Sequence, residues 1–495
     1  MIARLPTAVL ACWLALLPAA AAGQTPSALA WRDLTLADVE AASAIISRNH
    51  PAAVPATGDS AFRATLASAI EAARARAAVV SSYEGWLATL RAFVVSFGDP
   101  HISLQSRLSP SSVRWPGLVV GRQGDFTVVR SRDSTRTAEL PELGARLVSC
   151  DGFPVDQLGR DRLGAFRGTW DVASQRIRTT PALLVDDGNP FAPPLARCVW
   201  STAGGETETV LRWRTIAATA LQERLGDAAP VGRAGFVVRQ VGEGWWIGVE
   251  SLNNRVRPVL DSVAARLAAI RSAPWVVVDV RGNGGGSSIW GERLAYQLVG
   301  EARVTEAIQR AQAALRGTLC GTSWRASPDI EETLEGYIRN LGPGLGQGAI
   351  DQWRRELDSV KAARAAGRDL GPSPRPCPPA AAPDRPASDL PAPAMAGRLV
   401  LLTDHACFSS CLQMAAVFRL IGAIHVGEAT DFSTRYMEVR GFPLPSGLGS
   451  VATLQKVSFS APYRLGPYEP AHPYPGRIDD TAGLERWIQQ VTAIP

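Results

Sequence analysis

A buried strand that runs directly into a glycine-rich loop constrains this chain more than any other feature. Residues 275–286 read Trp-Val-Val-Val-Asp-Val-Arg-Gly-Asn-Gly-Gly-Gly. The run of valines is typical of a fully buried strand, and the glycines that follow leave the backbone N–H groups unobstructed by side chains. Residues 289–299 then have the apolar spacing of a helix. Strand, loop and helix start together predict a pocket of N–H donors suited to negative charge.

That negative charge could belong to a bound phosphate or to a transient oxyanion. Phosphate is the weaker interpretation, because no lysine follows the glycines and the Gly-x-x-x-x-Gly-Lys-Ser/Thr pattern is therefore absent from the sequence. The spaced Gly-x-Gly-x-x-Gly of a dinucleotide fold is absent as well. A tight turn that needs glycines only for packing is the third alternative. Three consecutive glycines after a buried strand favour a binding role over packing alone.

The first 23 residues have the pattern of a secretory signal peptide. Arg4 is followed by an apolar run and then by a string of alanines that leads to a cleavage position after Ala22 or Gly23. The segment ending at Cys12 weakly resembles a lipoprotein box, but too few apolar residues precede it for lipid anchoring. No later stretch is apolar over the length that a bilayer requires. We therefore expect a periplasmic or secreted protein without stable membrane insertion.

Composition narrows the class of partner. The chain has 495 residues, which is enough for two or three domains with their own cores. Its formal net charge is +5, and the basic residues form no block in the sequence. A nucleic acid is therefore not an expected partner. Nothing in the composition indicates an oligomeric state.

Six cysteines follow Cys12 in the sequence, and an even number in an exported chain predicts disulfides. Proximity in the sequence favours three pairs, although it does not determine the connectivity: Cys150–Cys198, Cys320–Cys377 and Cys407–Cys411. A zinc site is the alternative. It is disfavoured because neither a Cys-x-x-Cys pair nor a histidine cluster accompanies these cysteines.

The pattern along the chain predicts a sequence of distinct regions after the signal peptide. Residues 24–110 are predicted to form an N-terminal helical region, in which the helical pattern runs from Thr35 to about Phe97 and stops at Gly98-Asp99-Pro100-His101. Residues 111–220 are strand-like with frequent turns, and residues 230–495 alternate strands with helices. Residues 318–396 have the character of an insertion, with a proline- and alanine-rich stretch at its end. We therefore predict an α/β fold in which the functional loops lie at strand ends.

A second buried strand, predicted for residues 398–404, leads into a serine-containing turn. The turn reads His405-Ala-Cys-Phe-Ser-Ser-Cys and precedes a helical pattern. A serine at a strand-to-helix turn gains exposure and has backbone N–H groups beside it, as a nucleophile requires. The alternative is that Ser409 is only the N-cap of the helix, which is a very common use of serine.

Several motifs occur in the order found in one protease family. They are Asp99-Pro100-His101, Gly144–Val155, Asp279–Gly286, the Ser409 turn, Gly427–Thr430 and Phe442–Gly447. On these motifs the chain resembles the tail-specific (C-terminal processing) serine protease family. It is most similar to the branch that includes the tricorn core and interphotoreceptor retinoid-binding protein. The resemblance covers nearly all of the chain after the signal peptide. It implies a crotonase-like ββα catalytic core, over residues 230–495, and a PDZ-like module, over residues 111–220.

The resemblance also implies roles for individual residues. Ser409 matches the family's nucleophile, with Ser410 as the neighbouring alternative. The lysine base of the bacterial processing branch is expected near residues 431–435, which read Asp-Phe-Ser-Thr-Arg and contain no lysine. Arg435 cannot replace it, because a guanidinium group does not lose its proton at working pH.

The base is therefore expected to be a histidine, as in the tricorn-like branch. By that resemblance His101 is the candidate, and imidazole suits the task because its ordinary pKa lies near neutrality. Glu469 is expected to orient the imidazole, with Asp99 as the alternative. His405, four residues before Ser409, is the closest local rival to His101.

The oxyanion is expected between an N–H group of the glycine loop, from Gly284 or Gly285, and the N–H of Ser410. Preorganised donors of this kind contribute about 3–4 kcal/mol each in acyl transfer. Three polar residues of the loop are expected to brace it rather than to touch substrate: Asp279, Arg281 and Asn283.

These expectations together describe an exported serine-type peptidase that acts on a peptide or protein substrate through an acyl-enzyme. No metal and no organic cofactor is expected. Two other functions remain open. One is a non-catalytic binding protein on the same scaffold. This function is favoured by Leu412, which stands at a position where relatives have Glu. The other is a serine esterase with the same acyl chemistry.

Overall fold

The computed structural model describes residues 27–314, 319–342, 346–377, 390–459 and 465–493. The predicted signal peptide over residues 1–23 lies outside these residues. Within the described ranges, no helix is both long enough and apolar enough to cross a membrane.

The described chain begins with three helices and one short strand. They are α1 (Ala28–Asn49), α2 (Ser60–Ala77), α3 (Tyr83–Val95) and β1 (Ser103–Ser106). Side-chain caps define two of the helix starts, because Asp59 accepts the N–H of Phe62 and Ser82 accepts the N–H of Gly85. The helices thus lie where the sequence pattern predicted them.

The middle region of the chain is rich in strands. It contains β2 (Ser112–Trp115), β3 (Leu118–Gln123), β4 (Phe126–Arg132), β5 (Arg146–Cys150), β6 (Phe153–Pro154), α4 (Val155–Leu158), α5 (Ala173–Thr179), β7 (Arg197–Thr202), β8 (Gly205–Val210), β9 (Arg214–Ala217) and α6 (Ala218–Ala228). The predicted Asp-Gly turn is present between β5 and β6, with φ of 50° at Asp151 and 83° at Gly152. Two consecutive positive φ values are what a tight hairpin turn requires.

The next part of the chain carries the valine-rich strand and the glycine loop of residues 275–286. Its elements are β10 (Phe236–Val241), β11 (Gly244–Val249), α7 (Arg257–Ala265), α8 (Leu267–Ser272), β12 (Trp275–Asp279), α9 (Ile289–Val299) and α10 (Glu301–Ala314). The helix after the glycines is confirmed with its predicted bounds. The apolar stretch over residues 256–270 forms two helices rather than one, because the backbone leaves the helical conformation at Arg266, with ψ of 14°.

The remaining elements complete two larger sheets and form a separate two-stranded sheet from Leu319–Cys320 and Arg375–Pro376. They are β13 (Leu319–Cys320), β14 (Thr322–Arg325), α11 (Pro328–Asn340), α12 (Gln347–Ala365), β15 (Leu370–Gly371), β16 (Arg375–Pro376), β17 (Arg398–Thr403), α13 (Ser410–Leu420), β18 (Ile424–Gly427), β19 (Tyr436–Pro443), β20 (Gly449–Ser458), β21 (His472–Pro473) and α14 (Thr481–Ala493). The chain is therefore a mixed α/β protein with several sheets.

A six-stranded sheet with order β10-β11-β12-β17-β18-β21 forms the centre of the α/β part. The strands from β11 to β21 are parallel, and β10 is antiparallel to β11. Both faces of the sheet are covered by apolar side chains, from helices α7, α9 and α13 on one face and from α14 on the other. Burial on both faces explains the unbroken valine run in β12.

Strands β12 and β17 are parallel neighbours, with Asp279 opposite Leu402. Both strands consequently end at the same edge of the sheet. The glycine loop leaves β12 there, and the Ser409 turn leaves β17 beside it. This pairing is the reason that two distant parts of the sequence share one edge.

A second sheet joins the beginning of the described chain to its end. Strand β20 pairs with β1, β14 and β19, and β15 extends the sheet from β14. Helices α1 to α3 pack on this sheet, so that Trp86 and Phe93 share one apolar core with Val451 and Leu454. The N-terminal helices and the C-terminal strands therefore form one packed unit.

One buried hydrogen-bond group connects the two ends of this unit. The indole Nε1 of Trp86 donates to the Asp38 carboxylate at 2.8 Å, and the same carboxylate accepts from the backbone N–H and the hydroxyl of Ser446 at 3.0 and 2.6 Å. Trp86 is fully buried. Its side chain therefore supplies both apolar contact and a donor to a carboxylate that would otherwise lose a buried partner.

We expect Trp86→Ala to lower the free energy of unfolding by about 3–5 kcal/mol, because it removes a large buried ring and the donor to Asp38. Urea unfolding followed by far-UV circular dichroism measures the change. Leu108→Ala is the control, because Leu108 is half exposed and its truncation should change stability by less than about 0.5 kcal/mol. Equal effects of the two substitutions would contradict the shared core.

Candidate active site

The glycine loop and the Ser409 turn are in direct contact. The N–H of Phe408 donates to the carbonyl of Asn283 at 3.2 Å, and the hydroxyl of Ser410 donates to the carbonyl of Gly286 at 2.6 Å across 124 residues of sequence. A Cβ placed on Gly285 would lie 2.8 Å from the Ser409 Cβ and 2.9 Å from the Ser410 nitrogen. Only glycine allows this approach, because any side chain would overlap the turn.

Ser409 has an unusual backbone conformation, with φ of 57° and ψ of −126°. A non-glycine residue in this region costs on the order of 1–3 kcal/mol, and such residues cluster at functional sites. A serine on a strained turn between a strand and a helix is also the arrangement that exposes a hydroxyl nucleophile. The Ser409 side chain makes no capping hydrogen bond with α13. Ser409 therefore occupies the N-cap position of α13 without the side-chain hydrogen bond that an ordinary N-cap serine makes.

Ser410 differs from Ser409 in that its hydroxyl already has a partner, the carbonyl of Gly286. Its backbone N–H belongs to the first turn of α13, where N–H groups have no partner within the helix. Over the described ranges, neither this N–H nor the N–H of Gly284 has a protein acceptor. Two donors thus lie on either side of the contact between the loop and the turn.

Asn283 holds the glycine loop in shape. Its side-chain nitrogen donates to the carbonyl of Val249 at 2.7 Å, and its side-chain oxygen accepts the N–H of Gly285 at 2.8 Å. The N–H of Gly285 is therefore occupied within the loop. Of the two glycines expected to bind an oxyanion, Gly284 is the one whose N–H has no acceptor in the described structure.

A buried ion pair fixes the base of the same loop. Both Arg281 and Asp279 are fully buried, and the guanidinium contacts the carboxylate with two nitrogens, at 2.9 and 2.7 Å. Arg281 also donates to the carbonyl of Ile478 at 2.6 Å. This hydrogen bond connects the loop to the segment just before α14. The prediction that Asp279, Arg281 and Asn283 brace the loop is confirmed.

Asp404 joins the two loops at the edge of the sheet. One oxygen of its buried carboxylate accepts the N–H groups of Gly232 and Gly282, at 2.9 and 3.0 Å. The other oxygen accepts the N–H of Ala406 at 3.1 Å, in the turn that leads to Ser409. Burial raises the pKa of Asp404 to about 6. One side chain thus holds both the start of the glycine loop and the start of the serine turn.

His101 lies against the Ser409 turn. Its ring centroid is 4.3 Å from that of Phe408, at an interplanar angle of 34°. The Nδ1 atom is 2.9 Å from an Asp99 oxygen, which also accepts the backbone N–H of His101 at 2.9 Å. No hydrogen bond joins His101 to Ser409 within the described part of the chain. The structure therefore places the imidazole beside the serine turn and orients it from the Nδ1 side.

Asp99 is held in turn by Thr434, whose hydroxyl donates to the second carboxylate oxygen. Burial opposes ionisation of Asp99, but the hydrogen bonds from His101 and Thr434 outweigh it and lower the pKa of the carboxyl group. Thr434 comes from the segment of residues 431–435, where the resemblance to the bacterial processing branch would place a lysine. In this chain that segment supports the carboxylate partner of a histidine.

Glu469 does not contact the His101 imidazole, which it was expected to orient. Its side chain is exposed, and its backbone carbonyl lies 3.1 Å from Nδ1 of His425. Across the described residues it makes no hydrogen bond with the His101 ring, whose Nδ1 is occupied by Asp99. Asp99 precedes His101 by two positions and reaches Nδ1 within one turn of backbone. Nδ1 is therefore not available to the Glu469 carboxylate.

A second histidine–carboxylate pair lies close to the same turn. The Nδ1 of His405 is 2.7 Å from a Glu428 oxygen, and the ring is 1% exposed. Burial acts against the imidazolium form, but the hydrogen bond and charge of Glu428 outweigh it and raise the pKa of His405. Its Nε2 has no partner among the described residues. His405 therefore remains an alternative to His101 as the base, because it too is a histidine paired with a carboxylate. Like His101, it makes no hydrogen bond with Ser409 in the described structure.

All three disulfides favoured by sequence proximity are present: Cys150–Cys198, Cys320–Cys377 and Cys407–Cys411. This confirms the predicted pairs and removes those six cysteines from any zinc site. The last disulfide encloses Ser409, because one cysteine lies two residues before it and the other two residues after it. Both sulfur-bearing side chains are fully buried, so the strained turn is closed by a covalent bond beneath it.

Two residues of this site were not identified from the sequence. Asp404 had a signal, since it follows a buried strand just as Asp279 ends one, and adjacent parallel strands bring such residues together. Thr434 had none. A single threonine in a short polar segment gives no indication that it contacts a carboxylate 335 residues away.

We expect Gly285→Ala to lower the free energy of unfolding by at least about 2 kcal/mol, because the new Cβ would overlap the Ser409 turn and the backbone φ is +103°. Gly284→Ala is the matched control, since a Cβ there would meet no atom within 4 Å. Its effect should stay within about 0.5 kcal/mol. Equilibrium unfolding in urea compares the two variants, and equal losses would show that the loop does not press against the turn.

Comparisons with known proteins give matches among solved structures. No protein-family profile matches the chain, and no curated protein is significantly similar in sequence. Among solved structures, mature CPAF complexed with lactacystin matches with a TM-score of 0.57 at 13% identity, over 93% of this chain and 98% of that chain.

Two proteases give weaker structural matches. The photosystem II D1 C-terminal processing protease has a TM-score of 0.30 at 13% identity, over 89% of this chain and 92% of that chain. The tricorn protease has a TM-score of 0.37 at 12% identity, over 93% of this chain and 37% of that chain. The solved structures similar to this chain include proteases of the kind that the resemblance implied, and the chain shares the fold of CPAF.

Proposed function

We propose that this protein is an exported serine-type peptidase that hydrolyses peptide bonds through an acyl-enzyme. One observation carries the proposal: the strained Ser409 turn touches the glycine loop while the His101–Asp99 pair lies on the neighbouring Phe408 ring. A hydroxyl, an oriented imidazole and two N–H donors without acceptors are the groups that acyl transfer requires. The structural match to CPAF supports the fold that this chemistry needs.

The proposed reaction begins when the Ser409 hydroxyl attacks the carbonyl carbon of the scissile peptide bond. His101 takes the proton through Nε2, and Asp99 stabilises the imidazolium through Nδ1. The N–H groups of Gly284 and Ser410 donate hydrogen bonds to the carbonyl oxygen and stabilise the negative charge that develops on it. His101 then returns the proton to the departing amine, and a water molecule releases the acyl group by the same steps. Catalytic hydrogen bonds often tighten only when substrate binds.

This assignment replaces Glu469 with Asp99 and omits Gly285 from the oxyanion site. The contacts already described support both changes, because Asp99 occupies Nδ1 of His101 and the N–H of Gly285 donates to Asn283. The occupied hydroxyl of Ser410 likewise favours Ser409 as the nucleophile. His101 remains the base of the proposal, as expected from the tricorn-like branch.

The remaining parts of the chain have proposed roles of their own. The β-rich middle region would act as a PDZ-like module that presents peptide ends, and the parallel sheet with its helices would be the crotonase-like catalytic core. Three disulfides support a periplasmic or extracellular location, because such bonds persist in oxidising compartments. The predicted signal peptide agrees with that location.

Ser409→Ala should abolish labelling by a fluorophosphonate probe, because the probe forms its covalent bond with an activated serine oxygen. Ser410→Ala is the matched control, since it keeps the backbone N–H and should retain labelling within about tenfold of the parent. Labelling is measured by in-gel fluorescence against time. A well-folded parent that does not react would favour the non-catalytic binding protein. A parent that reacts but cleaves only esters would favour the esterase.

Asp99→Asn should lower kcat/KM for a peptide substrate by about 10²-fold or more, because the asparagine cannot stabilise an imidazolium. Glu469→Gln is predicted to change kcat/KM by less than about threefold, since the Glu469 side chain makes no hydrogen bond with His101 in the described structure. Steady-state hydrolysis of a quenched-fluorescence peptide measures both. The reverse order of effects would restore Glu469 as the partner of His101.

A further inference from the structure

An arginine-lined cavity lies beside the loop that carries His101. Its volume is about 310 Å³, at the lower end of the range for ligand pockets. Asp99, Pro100 and Ile102 form one wall of the cavity. Residues 166–169, Gln175 and Arg178 of the middle region also line it. A peptide held against the His101 loop would therefore meet this cavity.

Three guanidinium groups line the cavity, from Arg91, Arg167 and Arg178. Asp99 is the one carboxylate in the described lining, and its oxygens are directed to His101 and Thr434. The wall available to a ligand is therefore cationic.

The acidic partners of these arginines lie outside the cavity lining. Asp187 accepts from Arg91 at 3.2 Å and from Arg167 at 2.7 Å, so two positive charges share one negative charge. Burial, together with the nearby charge of Arg167, lowers the pKa of Arg91. This group consequently has an excess positive charge that is only partly exposed to solvent.

Arg178 has a partner whose charge is already well satisfied. Asp431 is fully buried and accepts from Arg178 at 2.9 Å, from the Gln175 side chain at 3.0 Å and from the backbone N–H of Phe432 at 2.9 Å. A guanidinium group has five N–H donors in a planar fork. In the described structure each of the three lining arginines donates one hydrogen bond to protein, so donors remain for a ligand.

We propose that this cavity binds a carboxylate group of the peptide substrate and makes the enzyme selective for acidic peptides. Guanidinium forks match the geometry of a carboxylate and bind it more strongly than a neutral amide. Apolar lining side chains such as Ile102, Leu104 and Phe166 can pack against the methylene groups of the same ligand residue. The inference rests on the proposed peptidase function for its biological meaning, but carboxylate binding is measurable without catalysis.

The carboxylate can come from an Asp or Glu side chain or from the end of the peptide chain. Fluorescein-labelled octapeptide pools separate these sources: one with a central Glu and an amidated end, one with a central Gln and an amidated end, and one with a central Gln and a free end. Fluorescence anisotropy measures their dissociation constants on Ser409→Ala protein, which cannot consume them. At least one carboxylate-bearing pool should bind about tenfold more tightly than the amidated Gln pool.

Arg167→Gln should reduce that preference to within about twofold, since it leaves Arg91 and Asp187 as a balanced pair. Arg91→Gln removes the same excess charge from the other side and serves if Arg167→Gln protein does not fold. Arg160→Gln is the matched control, because Arg160 lies outside the lining in an exposed pair with Asp171. It should keep the full preference.

Equal binding of all three pools to the Ser409→Ala protein would overturn the inference, and so would an unchanged preference when Arg167→Gln or Arg91→Gln is added to it. A failure of the proposed function has a different signature. In that case the fluorophosphonate probe does not label Ser409, regardless of how tightly the peptide pools bind. Labelling of Ser409 without carboxylate preference would keep the peptidase and remove only the acidic selectivity.

Discussion

The parallel pairing of β12 with β17 is the constraint on which the candidate site depends. Asp279 lies opposite Leu402 in that pairing, so the loops that follow the two strands emerge side by side. The buried Asp404 carboxylate then joins them, because it accepts N–H groups from Gly232, Gly282 and Ala406. Strand register and one buried carboxylate together determine how closely the glycine loop approaches the serine turn.

The histidine of the site is held by a different framework. His101 follows α3, and its position depends on the antiparallel sheet in which β1 pairs with β20. Thr434, just before β19, holds Asp99 from the far side. The proposed nucleophile and the N–H donors therefore belong to the parallel sheet, whereas the proposed base and its carboxylate belong to the sheet that packs on the N-terminal helices. The contact of His101 with Phe408 is where the two frameworks meet.

Features with a local cause were predictable from the sequence. The buried strand with its valine run, the glycine loop and the helix over residues 289–299 follow from short-range rules. The three disulfides join cysteines that are near each other in the sequence. The partner of His101 was harder to predict because two carboxylates were plausible, and the family resemblance favoured Glu469. Geometry within one turn of backbone decided for Asp99. The contact between Thr434 and Asp99 could not be predicted, since it depends on how two sheets pack.

The shared core of the N-terminal helices and the C-terminal strands has a consequence for the order of folding. Helices α1 to α3 bury their apolar faces against β20, a strand that is synthesised more than 300 residues later in the chain. Contacts between such distant segments form late, because a long loop must close before they contribute stability. Helices α1 to α3 must therefore wait until β20 has been synthesised before they can bury these faces, and His101 and Ser409 come together only after that step.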